Sequence, residues 1–177
     1  MGWITARKNL GVLLAAFERL CARGYDGRLV LVGRRYNFGD DDAFERALAA
    51  SPYRERVVLA GMAPDEDLPA LYSGADLVIF PSLYEGFGIV PVEAMACGAP
   101  LIASSAGALP EVVGEGGVLV ADPTDAAAFA AEAERLLSDP AQRAAQGARG
   151  LAWSRRYSAS EAAEKTLAVY ERVLSAS

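Results

Sequence analysis

The sequence predicts an α/β, Rossmann-like three-layer domain with a roughly six-stranded parallel sheet and helices gathered at the C-terminus. Three observations lead there. Short apolar runs such as Leu29-Val30-Leu31-Val32 and Leu77-Val78-Ile79-Phe80 are continuous, as expected for strands covered on both faces. Between them lie segments whose apolar residues keep helical spacing, so strands and helices alternate. After Asp122-Pro123 the strand pattern stops and only helical segments follow.

In chain order, Gly2 to Thr5 reads as a truncated first strand. Asn9 is placed to cap a helix running to about Arg23, with Leu10, Leu13, Leu14, Phe17 and Leu20 on one face. Arg28 to Val32 is a buried strand ending at Gly33, and Asp41 to Ala50 is a short helix. Arg56 to Ala60 is the next strand, ended by Gly61; Asp65 to Ser73 is a helix, stopped by Gly74. Asp76 to Phe80 is a strand broken by Pro81, and a helix from about Pro91 runs to Gly98. Pro100 to Ala103 and Gly117 to Val120 complete the strands. Helices follow at about Asp125 to Leu137, Ala141 to Trp153 and Ser160 to Leu174. Crossovers between parallel strands are right-handed. Ligands of such sheets bind beyond the C-terminal strand ends, where Lys8, Gly33, Gly61, Ser82 and Ser104 fall.

Composition narrows the function. A chain of 177 residues with 53% apolar content suits one domain with a sizeable core. A net charge of −6 argues against a nucleic-acid partner and against a broad basic membrane patch. The two cysteines, Cys21 and Cys97, lie in apolar helical context without metal or redox spacing, so buried reduced thiols are expected. No apolar run approaches the ~20 residues of a membrane helix. The start carries no signal-peptide pattern, and a cytoplasmic location is the expectation. The absence of histidine excludes a Ser-His-Asp triad and a histidine metal site within these residues.

Glu85 and Glu93 are the most informative residues. They lie eight positions apart in PSLYEGFGIVPVEAMACGAP, the first in a glycine-bearing loop after a strand, the second inside the next helix. Gly86 and Gly88 flank Glu85 closely and permit backbone approach to a ligand. Phe87, Gly88, Ile89 and Val90 lead into the helix, where amides are unpaired and the dipole favours an anion. Carboxylates suit sugar hydroxyls and a helix N-terminus suits phosphate, so a nucleotide sugar matches both. Each residue also has an ordinary reading: a solvated loop carboxylate for Glu85, and charge–dipole stabilisation in a first turn for Glu93.

RKN at 7–9, ADLVIFPSLYEGFG at 75–88, EAMACGAPLIAS at 93–104 and LPEVVGEGG at 109–117 together resemble the donor-binding half of retaining GT-B glycosyltransferases, especially glycosyltransferase family 4. The resemblance runs from about Gly2 to Leu174. It implies one half of a GT-B fold: residues 1–177 as the nucleotide-sugar domain, with an acceptor domain outside them. It gives Glu85 the donor sugar hydroxyls, Glu93 the ribose hydroxyls and Lys8 the diphosphate, with Glu85 and Lys8 in the catalytic roles. Amides at Gly88 to Val90 would meet phosphate and sugar, and Gly61 and Met62 the base. Gly33, Ser82, Gly86 and Phe87 complete the expected donor site. Many relatives carry an arginine directly after the first-strand glycine, where this chain has Trp3; Arg7 is the candidate substitute.

The resemblance further implies transfer of a hexose, mannose among the candidates, to an acceptor hydroxyl with retention and with no metal or other cofactor. The acceptor would be a glycan or glycolipid reached through the other domain, in polysaccharide or glycolipid synthesis. The full-length protein would be cytoplasmic or peripheral at the inner membrane face. The terminal helix, with Leu167, Tyr170, Val173 and Leu174 on one face, is available for self-association. The alternative is a stand-alone nucleotide-sugar binding module that works with a partner domain in trans.

Overall fold

The computed structural model describes residues 5–34 and 42–175. Its strands are β1 (Leu29–Val32), β2 (Val57–Gly61), β3 (Val78–Phe80), β4 (Leu101–Ser104) and β5 (Val118–Val120). Its helices are α1 (Leu10–Ala22), α2 (Asp42–Ala50), α3 (Leu68–Ser73), α4 (Ile89–Ala96), α5 (Leu109–Val113), α6 (Ala126–Ser138), α7 (Pro140–Ser154) and α8 (Ala159–Ser175). The α/β alternation and the helical tail are as expected. The five-residue α5 was not foreseen: LPEVV is too short to show helical periodicity.

All pairing among the described strands is parallel, but it forms two sheets: β1-β2, and β3-β4-β5. Among the described residues there are five strands, against the roughly six expected. The first expected strand, Gly2 to Thr5, lies outside the described residues except for Thr5, which is extended at φ −134°. No ladder joins β1 to β3. A cleft of about 480 Å³, lined by residues including Val30, Val32, Ile79 and Phe80, lies there.

Helix α1 holds the two sheets to one body. Leu13, Leu14, Phe17 and Cys21 pack with Leu31 of β1, Val57 of β2 and Leu48 of α2. Ala16 and Leu20 pack with Ile102 and Val120 of the second sheet, and with Phe129, Ala130, Ala133 and Leu136 of α6. Both sets recur at helical spacing, so one helix serves two cores. The opposite face of the second sheet is built on Phe80, Leu101 and Ala103, against Met95 of α4 and Leu109 and Val113 of α5. Ile102 faces one layer while Leu101 and Ala103 face the other, the period-2 alternation of a strand covered on both sides.

Parallel strands bring their C-terminal ends to one edge, and this edge carries the candidate residues. A 3₁₀ turn, Ala6–Lys8, crosses it before α1. Asn9 stands at the N-cap position of α1, as expected, but its side chain makes no cap bond. It takes the left-handed conformation, φ 56°, and its Nδ2 donates to Pro81 C=O at 3.2 Å and to Pro123 C=O at 2.6 Å. Asn9 therefore ties the turn bearing Lys8 to the ends of β3 and β5. Asn9→Ala removes both bonds and puts a Cβ-only side chain at positive φ. It is expected to cost about 2 kcal/mol, read as a fall in Tm of about 4–8 °C. An unchanged Tm would show that Asn9 does not hold this junction.

Helix α8 behaves differently from the rest. None of its residues is buried, and Leu167, Tyr170, Val173 and Leu174 are exposed. No helix of the described residues is long and apolar enough to cross a membrane.

Candidate functional site

Glu85 is not the solvated loop carboxylate that its position would ordinarily suggest. It is 8% exposed and lies between two cations. Oε1 accepts from Lys8 Nζ at 2.8 Å, and Oε2 pairs with Arg7 Nη1 at 2.6 Å. The backbone builds this arrangement. Leu83 N–H donates to Arg7 C=O at 2.8 Å, joining the loop after β3 to the 3₁₀ turn. Arg7 Nη1 also reaches Tyr84 C=O at 2.7 Å. Lys8 Nζ sits 4.4 Å above the Phe80 ring, so the ammonium has an aromatic face on one side and a carboxylate on another.

A second loop supports Glu85 from behind. Ala108 N–H donates to Glu85 C=O at 3.0 Å, and Gly107 adopts φ 59° beneath it. A Cβ at Gly107 would come within 2.4 Å of that same carbonyl oxygen, so only glycine fits. Gly107 carries no distinguishing signal in the sequence, where Ala106-Gly107-Ala108 looks like any turn.

Burial by itself pushes the Glu85 carboxyl up. Hydrogen bonds from Lys8 and Arg7, a smaller effect of the Ser82 hydroxyl and the Lys8 charge outweigh it, and the net shift is below the ordinary value of 4.5. Ser82 is fully buried; its Oγ lies outside good hydrogen-bond geometry with any partner. Its carbonyl accepts from Ser104 Oγ at 2.5 Å, so Ser82 and Ser104 serve first to join β3 to β4. A depressed carboxyl stabilises the folded state above its unfolded value and loses that contribution as pH falls through the lower, folded value. Acid titration should therefore show part of the stability lost below about pH 4.5, and Glu85→Gln should remove that part. Identical acid limbs would mean that the pair carries no net stability.

Helix α4 begins earlier than expected, at Ile89 rather than near Pro91. Gly88 makes the difference: it takes φ 105°, and a Cβ there would come within 2.8 Å of Leu109 Cδ2. The amides of Gly88, Ile89 and Val90 precede the first intrahelical bond, from Val92 N–H to Gly88 C=O. Ile89 is 64% exposed beside them. Gly86 does not need to be glycine for its φ, and a Cβ there would meet open space. Phe87 is 47% exposed and rests edge-on against Tyr157, with ring centroids 5.6 Å apart.

The earlier start moves Glu93 into the second turn, and the first turn holds no acidic residue. The ordinary charge–dipole reading of Glu93 is weakened accordingly, since that effect fades beyond the first turn. Glu93 instead meets Tyr72 of α3, whose hydroxyl donates to Oε2 at 2.8 Å. Tyr72 was not among the expected site residues, because an aromatic late in an apolar helix reads as core.

Gly33, Gly61 and Met62 lie at the ends of β1 and β2. Gly33 N–H donates to Gly61 C=O at 2.7 Å, prolonging the ladder, and Met62 is 63% exposed. The expected residues thus fall into three groups: Arg7-Lys8-Ser82-Glu85, the α4 entry with Glu93 in its second turn, and the β1–β2 ends. Among the described residues no cluster of three Cys, Asp or Glu side chains is disposed to hold a metal.

Comparison with known proteins identifies the family. A family model described as "Glycosyl transferases group 1" matches residues 1–153. The O-antigen chain mannosyltransferase B of Escherichia coli is 37% identical over 171 residues, covering 97% of this chain and 44% of that protein. Sucrose-phosphate synthase from Thermosynechococcus elongatus superposes with a TM-score of 0.82 at 33% identity, over 99% of this chain and 45% of that one. The Anabaena protein HepE, crystallised with UDP-glucose, superposes with a TM-score of 0.77 at 27% identity, over 88% of this chain and 43% of that one. The chain spans about half the length of these relatives.

Proposed function

The chain belongs to the group 1 glycosyltransferases, and from that membership we propose that it is the donor-binding half of a retaining GT-B hexosyltransferase. The donor is a nucleoside diphosphate hexose, with mannose favoured, and the acceptor is a glycan or glycolipid hydroxyl in polysaccharide or glycolipid synthesis. The acceptor domain lies outside these 177 residues. The single observation that carries the reading is the Glu85 carboxylate held by Lys8 and Arg7 beside the open start of α4. Two relatives lend the chemistry: one is named a mannosyltransferase, and another was crystallised with UDP-glucose.

On this reading the diphosphate lies across the amides of Gly88, Ile89 and Val90, with Lys8 and Arg7 within reach. Transfer breaks the bond from the anomeric carbon to the phosphate oxygen, and the acceptor oxygen forms the new bond on the same face. The acceptor proton passes to the departing phosphate. Lys8 and the helix N-terminus neutralise the charge that grows there, so no bound metal is required. Glu85 orients the hexose: its oxygens keep lone pairs beyond those used by Lys8 and Arg7. Glu93 takes the ribose hydroxyls, and the Gly61-Met62 segment lies toward the base. The full-length protein works in the cytoplasm, at most peripherally at the membrane.

A second reading, a binding module completed in trans, draws on the exposed apolar face of α8. That face also offers a route to self-association. Calorimetric titration of the chain with UDP, GDP and ADP tests the common core of both. Saturable binding of one of them names the base. Binding of none sinks the assignment of this edge as a donor site.

A further inference from the structure

We propose that Tyr72 is the positioning residue that presents Glu93 to the ligand. The inference rests on the reading of Glu93 as the ribose acceptor and adds what makes that acceptor effective. Tyr72 is 3% exposed and forms a buried cluster with Ala94 and Ala99, against which Leu68, Val78, Val90 and Cys97 pack. Those neighbours come from α3, β3, α4 and the turn after α4, so a buried cluster built from several elements seats the ring. From that fixed seat the hydroxyl donates to Glu93 Oε2 at 2.8 Å.

The chemistry of the pair is one-directional. A phenol has one proton to give and a carboxylate has none, so Tyr72 donates and Glu93 accepts. Burial, then the hydrogen bond and charge of Glu93, push the Tyr72 hydroxyl well above its ordinary value, so it keeps its proton at any working pH. One carboxylate oxygen is therefore committed to the protein, and the plane of the group is set. Oε1 is left to accept from a ligand in an orientation that does not depend on the ligand's arrival.

A glutamate without this bond would sample several rotamers on the helix face and would lose that freedom on binding. The expected signature is specific to ligands that use Glu93. Tyr72→Phe deletes only the hydroxyl and keeps the ring that packs, so the core is preserved. It should weaken binding of a ribonucleotide about tenfold and leave its 2′,3′-dideoxy counterpart unchanged.

The test is calorimetric titration of the chain with UDP, GDP and ADP, each beside its 2′,3′-dideoxy form. The unaltered chain should prefer the ribonucleotide, and Tyr72→Phe should collapse that preference by loss on the ribonucleotide arm alone. In a Glu93→Ala background Tyr72→Phe should change neither arm. Equal weakening of both arms would assign Tyr72 a packing role and overturn the proposal, as would a preference that survives Tyr72→Phe. An unaltered chain that binds both forms alike would remove Glu93 from the ribose and take this inference with it. Absence of any binding overturns both together.

Discussion

Glu85→Gln is expected to destabilise the fold by about 2 kcal/mol while leaving nucleoside diphosphate affinity intact. The two effects separate because the proposed function gives Glu85 a second duty beside its place in the fold. In the fold it neutralises Lys8, whose side chain is 15% exposed, and Arg7, whose side chain is 45% exposed. Breaking a buried pair by removing one partner costs about 3–5 kcal/mol, and the exposure of Arg7 and the acceptor that glutamine keeps reduce this. The fall in Tm should be about 4–8 °C. In the proposed site a diphosphate uses the same two cations, and losing a nearby negative charge does not weaken its hold on them. The loss should show instead with the nucleotide sugar, whose affinity should drop to that of the bare diphosphate. Thermal unfolding with paired titrations reads both. A diphosphate affinity lowered more than about tenfold would mean that Glu85 is needed to organise the cations, and the assignment of separate duties would fail.

The second large effect is Glu93→Ala, which should weaken nucleotide binding at least about thirtyfold, or about 2 kcal/mol. A carboxylate accepting from two ribose hydroxyls makes charge-assisted bonds, each stronger than a neutral one. The substitution also leaves the buried Tyr72 hydroxyl without its acceptor, so some stability is lost with it. The two contributions are told apart by a nucleotide lacking both hydroxyls, whose affinity should follow only the packing effect. An alanine variant that binds ribonucleotides like the parent chain would withdraw Glu93 from the site.

Both effects turn on pairs that the sequence does not display. Lys8 and Glu85 are 77 residues apart, and Tyr72 and Glu93 are 21 apart. The sequence marks each residue as placed near a strand end, because strand ends are announced locally by an apolar run and a glycine or proline. It does not say that both oxygens of Glu85 are already engaged by cations. That requires the chain to cross the sheet edge in one particular order. Likewise, the apolar periodicity of α1 was legible as a helix face. Its division between the β1–β2 core and the β4–β5 core was not, since periodicity reports burial and not the partner.

What the sequence determined alone was the class and the edge: alternating strands and helices, glycines punctuating the C-terminal strand ends, and two carboxylates eight positions apart. These are short-range properties, fixed by backbone sterics and by the spacing of apolar side chains. The start of α4 is the intermediate case. Pro91 suggested the first turn, but Gly88 at φ 105°, packed against Leu109, sets it two residues earlier. Only the tertiary structure decided what each polar group touches: Glu85 with Arg7 and Lys8, Glu93 with Tyr72, and Asn9 with two carbonyls. Hydrogen bonds act over about 3 Å, and which groups come within that distance is set by packing between elements far apart in the chain.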